Sequence, residues 1–112
     1  MKTVKAIKNG IVCILSVFLF IGCTSQDSYK PQTHVIEIKD MAFQPENLIA
    51  HKGDTVIWIN KDIVAHDVTQ DNKDWASSPI APEASWKKVI TNNDSYYCSI
   101  HVVMKGKLTV VK

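Results

Sequence analysis

Three side chains that can bind a transition metal stand at three-residue intervals near the end of the sequence. They are the thiol of Cys98, the imidazole of His101 and the thioether of Met104. One thiolate and two imidazoles in a plane, with a weak thioether on the axis, form the ligand set of a blue copper site. This run supplies three of the four groups, so a second histidine must come from elsewhere in the chain.

Three other histidines could supply the missing imidazole. His34 lies at the start of a predicted strand and His51 precedes a glycine turn, so we expect both to be exposed surface residues. His66 follows a loop after the most strand-like stretch and is the best remaining partner. A lone histidine at the start of a strand is more often structural than a ligand. His66 is favoured as a ligand only because Cys98, His101 and Met104 lack a fourth group.

The elements that must position these groups are short strands. After residue 34, runs of β-branched and aromatic residues alternate with turns rich in Gly, Asn, Asp and Pro, and residues 55–60 form the strongest run. No sustained helical period follows residue 34. The pattern predicts an all-β antiparallel sandwich or barrel of about seven or eight strands. Residues 70–84, which are polar and contain two prolines, are expected to hold a small helix or an irregular loop.

The aromatic residues are expected to build the core of this sandwich. Trp58 should be buried and Trp86 half-buried, while Tyr96 should share the inward face with Cys98 by strand alternation. Trp75 stands in a polar stretch, where it is either a lid on the core or a contact for a partner; we favour the lid.

The 112-residue chain has room for one domain, and its first part is expected to lie outside that domain. Three lysines precede an apolar run over residues 11–21, which is too short for a transmembrane helix and typical of a signal peptide. The run ends in Leu19-Phe20-Ile21-Gly22-Cys23, which resembles the lipobox of bacterial lipoproteins. An ordinary cleaved signal peptide or an uncleaved anchor is the alternative.

The resemblance to a lipobox implies three segments. Residues 1–22 are a lipoprotein signal peptide, residues 23–33 are a lipidated Cys23 with a flexible tether, and residues 34–112 are the folded domain. We therefore expect an exported protein that is anchored by lipid to a membrane and faces the periplasm or the cell exterior.

Charge and cysteine content limit what the predicted domain could bind and how it could be stabilised. All 13 basic residues are lysines, and removal of residues 1–22 leaves a formal charge of −1, so nothing indicates nucleic acid. Cys98 is the only thiol in the predicted domain, which therefore cannot be stabilised by an internal disulfide. Metal ligation would explain a single thiol in an oxidising compartment, and a buried, inert cysteine is the alternative.

Five segments together resemble the cupredoxins, specifically the plastocyanin and amicyanin group. They are Phe43–Leu48, Gly53–Asn60, His66–Val68, Tyr97–His101 and Met104–Val110. The short spacing from His101 to Met104 is similar to that of amicyanin. The resemblance covers about residues 35–111 and implies a Greek-key sandwich that holds one type 1 copper through His66, Cys98, His101 and Met104.

The resemblance also implies roles around the copper. Met104 would be a long axial contact, and His101 would reach the surface through an apolar patch as the port for electrons. The chain departs from the family at Ile100, where Pro is usual, and at Asp67, where Asn is usual. Asp67 could accept a hydrogen bond from the Ser99 hydroxyl, and its charge would lower the reduction potential.

The expected function is one-electron transfer by a monomer between redox partners such as a c-type cytochrome or a terminal oxidase or reductase. Because protein fills all four coordination positions, we expect no enzyme activity. A multicopper oxidase would need His-x-His pairs, which the sequence lacks. Copper delivery or tolerance without a redox partner is the alternative, and it would favour more methionines near the site than Met41 and Met104.

Overall fold

The computed structural model describes residues 17–22 and 27–112, and the described residues contain eight strands. The strands are β1 Thr33–Lys39, β2 Ala42–Gln44, β3 Asn47–His51, β4 Thr55–Asn60, β5 Thr69–Gln70, β6 Ser85–Val89, β7 Asp94–Tyr97 and β8 Lys105–Val111. They form two four-stranded sheets, ordered β2-β1-β4-β6 and β3-β8-β7-β5. The prediction of an all-β sandwich is confirmed.

The leader stays a prediction. Most of residues 1–22 and the proposed lipid site Cys23 lie outside the described residues. Within the described ranges, no helix has the length and apolar character needed to cross a membrane. The predicted division into signal peptide, tether and domain is therefore not decided by the fold.

Two of the strand pairs run in a direction that the sequence did not predict. β1 pairs in parallel with β4, and β3 pairs in parallel with β8, whereas the other pairs are antiparallel. The expectation of a wholly antiparallel sandwich is therefore wrong. Side chains alternate between the two faces in both kinds of strand, so periodicity carries no information about direction.

The core lies between the two sheets and follows strand alternation. In β4, Val56, Trp58 and Asn60 are buried while the residues between them are half-buried. On the facing sheet, Tyr96 in β7 and Cys98 just after it are both buried, as predicted. This alternation carries the inward face of β7 directly into the predicted ligand loop.

An aromatic cluster fills the centre of the sandwich. The ring centroid of Trp58 lies 5.4 Å from that of Trp86 and 5.6 Å from that of Tyr96. Trp75 covers this cluster with its ring 6.0 Å from Trp86, and its indole N–H donates to Asp94 at 3.2 Å. The lid interpretation of Trp75 is confirmed.

Tyr96 also requires a glycine on the neighbouring strand. Tyr96 is paired with Gly106 of β8, and a Cβ atom on Gly106 would overlap the Tyr96 ring. Burial raises the pKa of Tyr96 to about 12, so its hydroxyl is neutral. These contacts make Tyr96 a core residue that supports the strand leading to Cys98.

The strand registers define two ends of the sandwich. β4 and β1 begin together, at Thr55 and Thr33, and the turn after His51 brings the end of β3 to the same end. We call this end the distal pole. β4 finishes at the opposite end, where β7 also finishes and β8 begins; we call that end the site pole.

Buried Asp54 fastens the segment before β1 to the distal pole. Its carboxylate accepts hydrogen bonds from the Tyr29 hydroxyl at 2.8 Å, the Gln32 N–H at 2.9 Å, His34 Nε2 at 2.7 Å and the His51 N–H at 3.0 Å. The Tyr29 ring stacks on the His51 ring with centroids 4.0 Å apart.

These contacts bear on two expectations. Tyr29 and Gln32, which lie within the tether predicted over residues 23–33, are held against the domain, while residues 23–26 of that tether lie outside the described residues. His34 and His51 were expected to be exposed, and that expectation is wrong because both are half-buried and in contact with the Asp54 cluster. Neither histidine lies at the site pole.

Candidate metal centre

Three of the predicted ligands meet at the site pole. Sγ of Cys98 lies 3.8 Å from Nδ1 of His66 and 4.0 Å from Nδ1 of His101. The ligand atoms of all three residues lie within 4.8 Å of one another. The residues come from two loops more than thirty positions apart in sequence. Their convergence therefore depends on the fold and indicates a shared ligand.

The spacing and the chemistry of this group fit a copper ion. Bonds of about 2.0–2.3 Å, as transition metals such as zinc make to nitrogen and sulfur, place two ligand atoms on one ion roughly 3.5–4 Å apart. The observed sulfur-to-nitrogen distances of 3.8 and 4.0 Å are close to that range. One thiolate with two imidazoles selects a trigonal copper site.

His66 is positioned by backbone pairing with the irregular segment that follows β5. Its N–H donates to the Ile80 carbonyl at 3.2 Å, and the Ile80 N–H donates back at 2.6 Å. The sequence placed His66 at the start of a strand, but β5 contains only Thr69–Gln70, and His66 forms an isolated bridge. Residues 70–84 contain no helix, and their function in the fold is to pair with the ligand segment.

Buried Asn60 closes the loop before His66. Its side-chain amide donates to the carbonyls of Val64 and Ile80, both at 2.8 Å. Asn60 thereby joins the end of β4 to the bridge that holds His66. Asn60 was predicted to lie in a strand and was not among the predicted site residues, because the carbonyls that its amide binds are brought near it only by the loop conformation.

Two backbone hydrogen bonds shape the loop that carries the other ligands. The Cys98 N–H donates to the Met104 carbonyl at 3.1 Å, and the Met104 N–H donates to the His101 carbonyl at 3.0 Å. Met104 is buried at the end of this loop. The loop therefore returns the backbone of Met104 to that of Cys98, beside the other two predicted ligands of this loop.

Asp67 joins the two ligand loops. Its carboxylate accepts the Ser99 N–H at 2.7 Å, the Ser99 hydroxyl, and the Thr69 hydroxyl at 3.1 Å. The Asp67 N–H donates to Sγ of Cys98 at 3.4 Å. The contact between Asp67 and Ser99 is the one expected from the sequence. The contacts through Thr69 and the Asp67 backbone are additional.

Asp62, which was not among the predicted site residues, contacts the first histidine directly. One carboxylate oxygen of Asp62 lies 2.8 Å from Nε2 of His66. Burial by itself raises the pKa of Asp62, but hydrogen bonds from the Met41 N–H, His66 and the Asp40 N–H outweigh it and lower the pKa. Asp62 is thus an ionised partner of His66. Its position four residues before His66 was the only sequence signal for it.

An apolar surface surrounds the second histidine. His101 is half-buried, and Ile100, Val102 and Val103 beside it are exposed. We call these three residues the apolar rim. The resemblance to the cupredoxins implied an apolar patch around His101, and the apolar rim lies where that patch was expected. His101 is therefore the ligand that borders solvent, whereas His66 and Cys98 are fully buried.

His66 from one loop, and Cys98, His101 and Met104 from the other, are arranged as a type 1 copper site in an all-β sandwich. The cupredoxin-like domain model matches residues 12–110, so the chain belongs to the cupredoxin-like family.

Solved structures with a similar fold include amicyanins and a larger enzyme. A Cu(I) amicyanin variant is 24% identical, with 70% of this chain and 82% of that chain covered and a TM-score of 0.66. An oxidised amicyanin variant is 27% identical, with the same coverage and a TM-score of 0.64. A copper-containing nitrite reductase from Thermus scotoductus SA-01 is 21% identical, with 76% of this chain but 24% of that chain covered and a TM-score of 0.68.

Proposed function

We propose that this protein is a single-electron carrier with one type 1 copper, held by His66, Cys98 and His101 with Met104 as the axial ligand. The observation that carries the proposal is the convergence of the two Nδ1 atoms on the Cys98 sulfur at 3.8 and 4.0 Å. A copper ion bound there supplies exchange of one electron between Cu(II) and Cu(I). The likeness to amicyanins supports this assignment.

The residues around the ligands suit a carrier because they hold the site rigidly. Asn60 fixes the loop before His66, Asp67 joins the two ligand loops, and the Cys98–Met104 backbone bond closes the second loop. Ligands that cannot move far on a change of copper charge keep the reorganisation small. This constraint favours electron transfer over the release of the metal to another protein.

His101 is proposed as the port for electrons. Its ring borders solvent within the apolar rim of Ile100, Val102 and Val103. A small exposed apolar patch suits brief contact with a redox protein rather than a permanent complex. We propose partners of the class of c-type cytochromes or terminal oxidases and reductases, and a monomeric carrier.

The coordination count supports a carrier rather than an enzyme. With four protein ligands around the copper, no position remains for a substrate. We further propose that the protein is exported and held at a membrane by lipid on Cys23, with its domain facing the periplasm or the cell exterior. The apolar run and the lipobox-like end of the leader support this location.

Copper titration of the purified full-length protein tests the site. Addition of Cu(II) should produce intense absorption of red light and an EPR spectrum with narrow copper hyperfine splitting. His101→Gln should remove these features, whereas His51→Gln, at the distal pole, should keep them. A colourless protein, or the EPR spectrum of ordinary tetragonal Cu(II), would refute the type 1 site.

Met104→Leu should keep most of the colour and raise the midpoint potential.

A matched pair of valine substitutions tests the port. The rate at which the Cu(II) protein oxidises a soluble c-type cytochrome can be followed by stopped flow. Val103→Asp in the apolar rim should slow the second-order rate, whereas Val89→Asp, on an exposed valine near the distal pole, should leave it unchanged. Equal rates for both variants would exclude His101 and its rim as the docking site.

Loss of copper to a chelator faster than electron transfer would favour the copper-delivery alternative.

A further inference from the structure

The contact between Asp62 and His66 places a carboxylate directly behind a copper ligand. Oδ2 of Asp62 lies 2.8 Å from Nε2 of His66, and the His66 side chain is fully buried while that of Asp62 is 15% exposed. The other ring nitrogen of His66, Nδ1, lies 3.8 Å from the sulfur of Cys98. The imidazole thus stands between a carboxylate and the ligand cluster.

This arrangement selects one tautomer of the neutral imidazole. A neutral imidazole carries its proton on one ring nitrogen, and a carboxylate accepts a hydrogen bond but does not donate one. A proton on Nε2 satisfies Asp62 and leaves the lone pair of Nδ1 directed at the cluster. A partner at the far nitrogen fixes both the tautomer and the ring orientation of a metal-binding histidine, and raises its basicity.

Asp62 is itself held in place by two backbone N–H groups and by the side chain of Asn60. Its carboxylate accepts the N–H groups of Asp40 at 2.8 Å and Met41 at 3.1 Å, and its own N–H donates to the Asn60 side chain at 2.9 Å. Asp40 and Met41 form the tight turn between β1 and β2, with φ angles of 53° and 57°. Asp62 therefore cannot turn away from His66 without releasing this turn.

We propose that Asp62 is a positioning residue that keeps the proton of His66 on Nε2, aims Nδ1 at the copper position and strengthens the binding of Cu(II). The part that concerns copper affinity rests on the proposed type 1 site. The negative charge behind His66 stabilises the more highly charged Cu(II) over Cu(I), which lowers the reduction potential. The Asp67 carboxylate contacts Ser99 in the Cys98 loop and not the ring of His66, so the two carboxylates act through different residues.

The competing explanation is that Asp62 only clamps the β1–β2 turn. Two substitutions separate the explanations. Asp62→Ala removes every contact of the side chain, whereas Asp62→Asn keeps a carbonyl oxygen that can accept from His66 Nε2 but removes the charge. Asp71→Ala, which removes an exposed carboxylate elsewhere, is the control for loss of one negative charge.

The first measurement uses the copper-free full-length protein. The imidazole ¹⁵N chemical shifts of His66 report which nitrogen carries the proton. We expect the Nε2–H form in the parent protein and in Asp71→Ala, the same form in Asp62→Asn, and a mixture of both tautomers in Asp62→Ala. An unchanged Nε2–H form in Asp62→Ala, together with loss of amide protection at Asp40 and Met41, would show a turn clamp only and overturn the proposal.

The second measurement is the affinity for copper in each oxidation state, by competition with chelators. Loss of such a partner typically costs 10–100-fold in metal affinity, and we expect that loss for Cu(II) in Asp62→Ala, with a smaller loss in Asp62→Asn. If Cu(I) affinity is unchanged, the midpoint potential rises by about 59 mV for each tenfold loss. Equal Cu(II) affinity in Asp62→Ala and the parent protein would overturn the proposal. A parent protein without a type 1 spectrum would refute the proposed function instead, and the tautomer measurement would still decide the role of Asp62.

Discussion

The two poles of the sandwich use the same kinds of residue for different purposes. Each pole has two histidines, His34 and His51 at the distal pole and His66 and His101 at the site pole. At each pole an aspartate contacts one histidine ring, Asp54 that of His34 and Asp62 that of His66. At the distal pole, Asp54 gathers hydrogen bonds from four neighbouring residues, which use most of the acceptor positions of one carboxylate. The Asp54 carboxylate is therefore occupied by protein donors.

At the site pole, the aspartate carboxylates contact atoms that are not predicted to bind the metal, and the metal-binding atoms stay available. Asp62 contacts the far nitrogen of His66, and Asp67 contacts the backbone and hydroxyl of Ser99, so Nδ1 of His66 and the sulfur of Cys98 still face each other. The comparison shows that histidines and carboxylates alone do not define a metal site. A buried thiol and inward-facing ring nitrogens make the difference.

The largest effect is expected on replacement of the thiol, which is the group that the site pole has and the distal pole lacks. Cys98→Ser should abolish the intense absorption of the copper-loaded protein, because the copper–thiolate bond is its source. The sandwich should remain folded, since serine fits the space of the buried sulfur. Visible absorption and circular dichroism test both statements, and a blue Cys98→Ser protein would place the site elsewhere.

Replacement of the central carboxylate of the distal pole should destabilise the fold without changing the site. Asp54→Asn removes the charge that accepts four neighbouring donors, so we expect the thermal midpoint of the copper-free protein to fall by several degrees. The visible spectrum after copper addition should be that of the parent protein. A changed spectrum would show that the two poles are coupled.

Acid should weaken the distal pole through the same carboxylate. Burial by itself raises the pKa of Asp54, but hydrogen bonds from the Gln32 N–H, His34, the His51 N–H and Tyr29 outweigh it and hold the pKa well below its usual range. The unfolded chain therefore takes up the proton first, near pH 4, and this stabilisation is complete above that pH and lost as the pH falls towards the folded pKa. Thermal midpoints measured from about pH 6 to pH 2 should fall less steeply for Asp54→Asn than for the parent protein.

Removal of the charge at Asp67 should affect the copper potential and leave the distal pole unchanged. Asp67→Asn keeps the shape of the side chain but removes a negative charge that favours Cu(II). The midpoint potential should therefore rise by an amount on the order of tens of millivolts. For a one-electron couple, about 59 mV corresponds to a tenfold change in the equilibrium constant. Protein-film voltammetry measures this shift. An unchanged or lower potential would contradict the assigned electrostatic effect.

The smallest effect is expected in the segment before β1. Tyr29→Phe keeps the ring that stacks on His51 and removes only the hydroxyl that donates to Asp54. We expect a small decrease in the thermal midpoint and faster amide exchange at Gln32. Tyr97→Phe, on a half-buried tyrosine near the site pole, is the matched control and should leave Gln32 unchanged.

Several features of both poles were predicted from residue types and short spacings. Alternation in β4 and β7 correctly placed Trp58, Tyr96 and Cys98 in the core, because strand geometry is local. The chemistry of Cys98 and His101 indicated copper before any geometry was known. The environments of His34 and His51 were not predicted, because they depend on the return of the chain from β3 to β4 beside the segment before β1.

The sequence by itself determined the all-β class, the ligand types and the loop that carries Cys98, His101 and Met104, since each depends on neighbours a few residues apart. Only the tertiary structure decided the parallel pairing of β1 with β4, the approach of His66 to Cys98, and the partners of Asp54 and Asp62. The physical reason is that these contacts join distant segments or depend on loop conformation. A carboxylate accepts whichever donors the fold brings within about 3 Å, and the sequence pattern does not specify those donors.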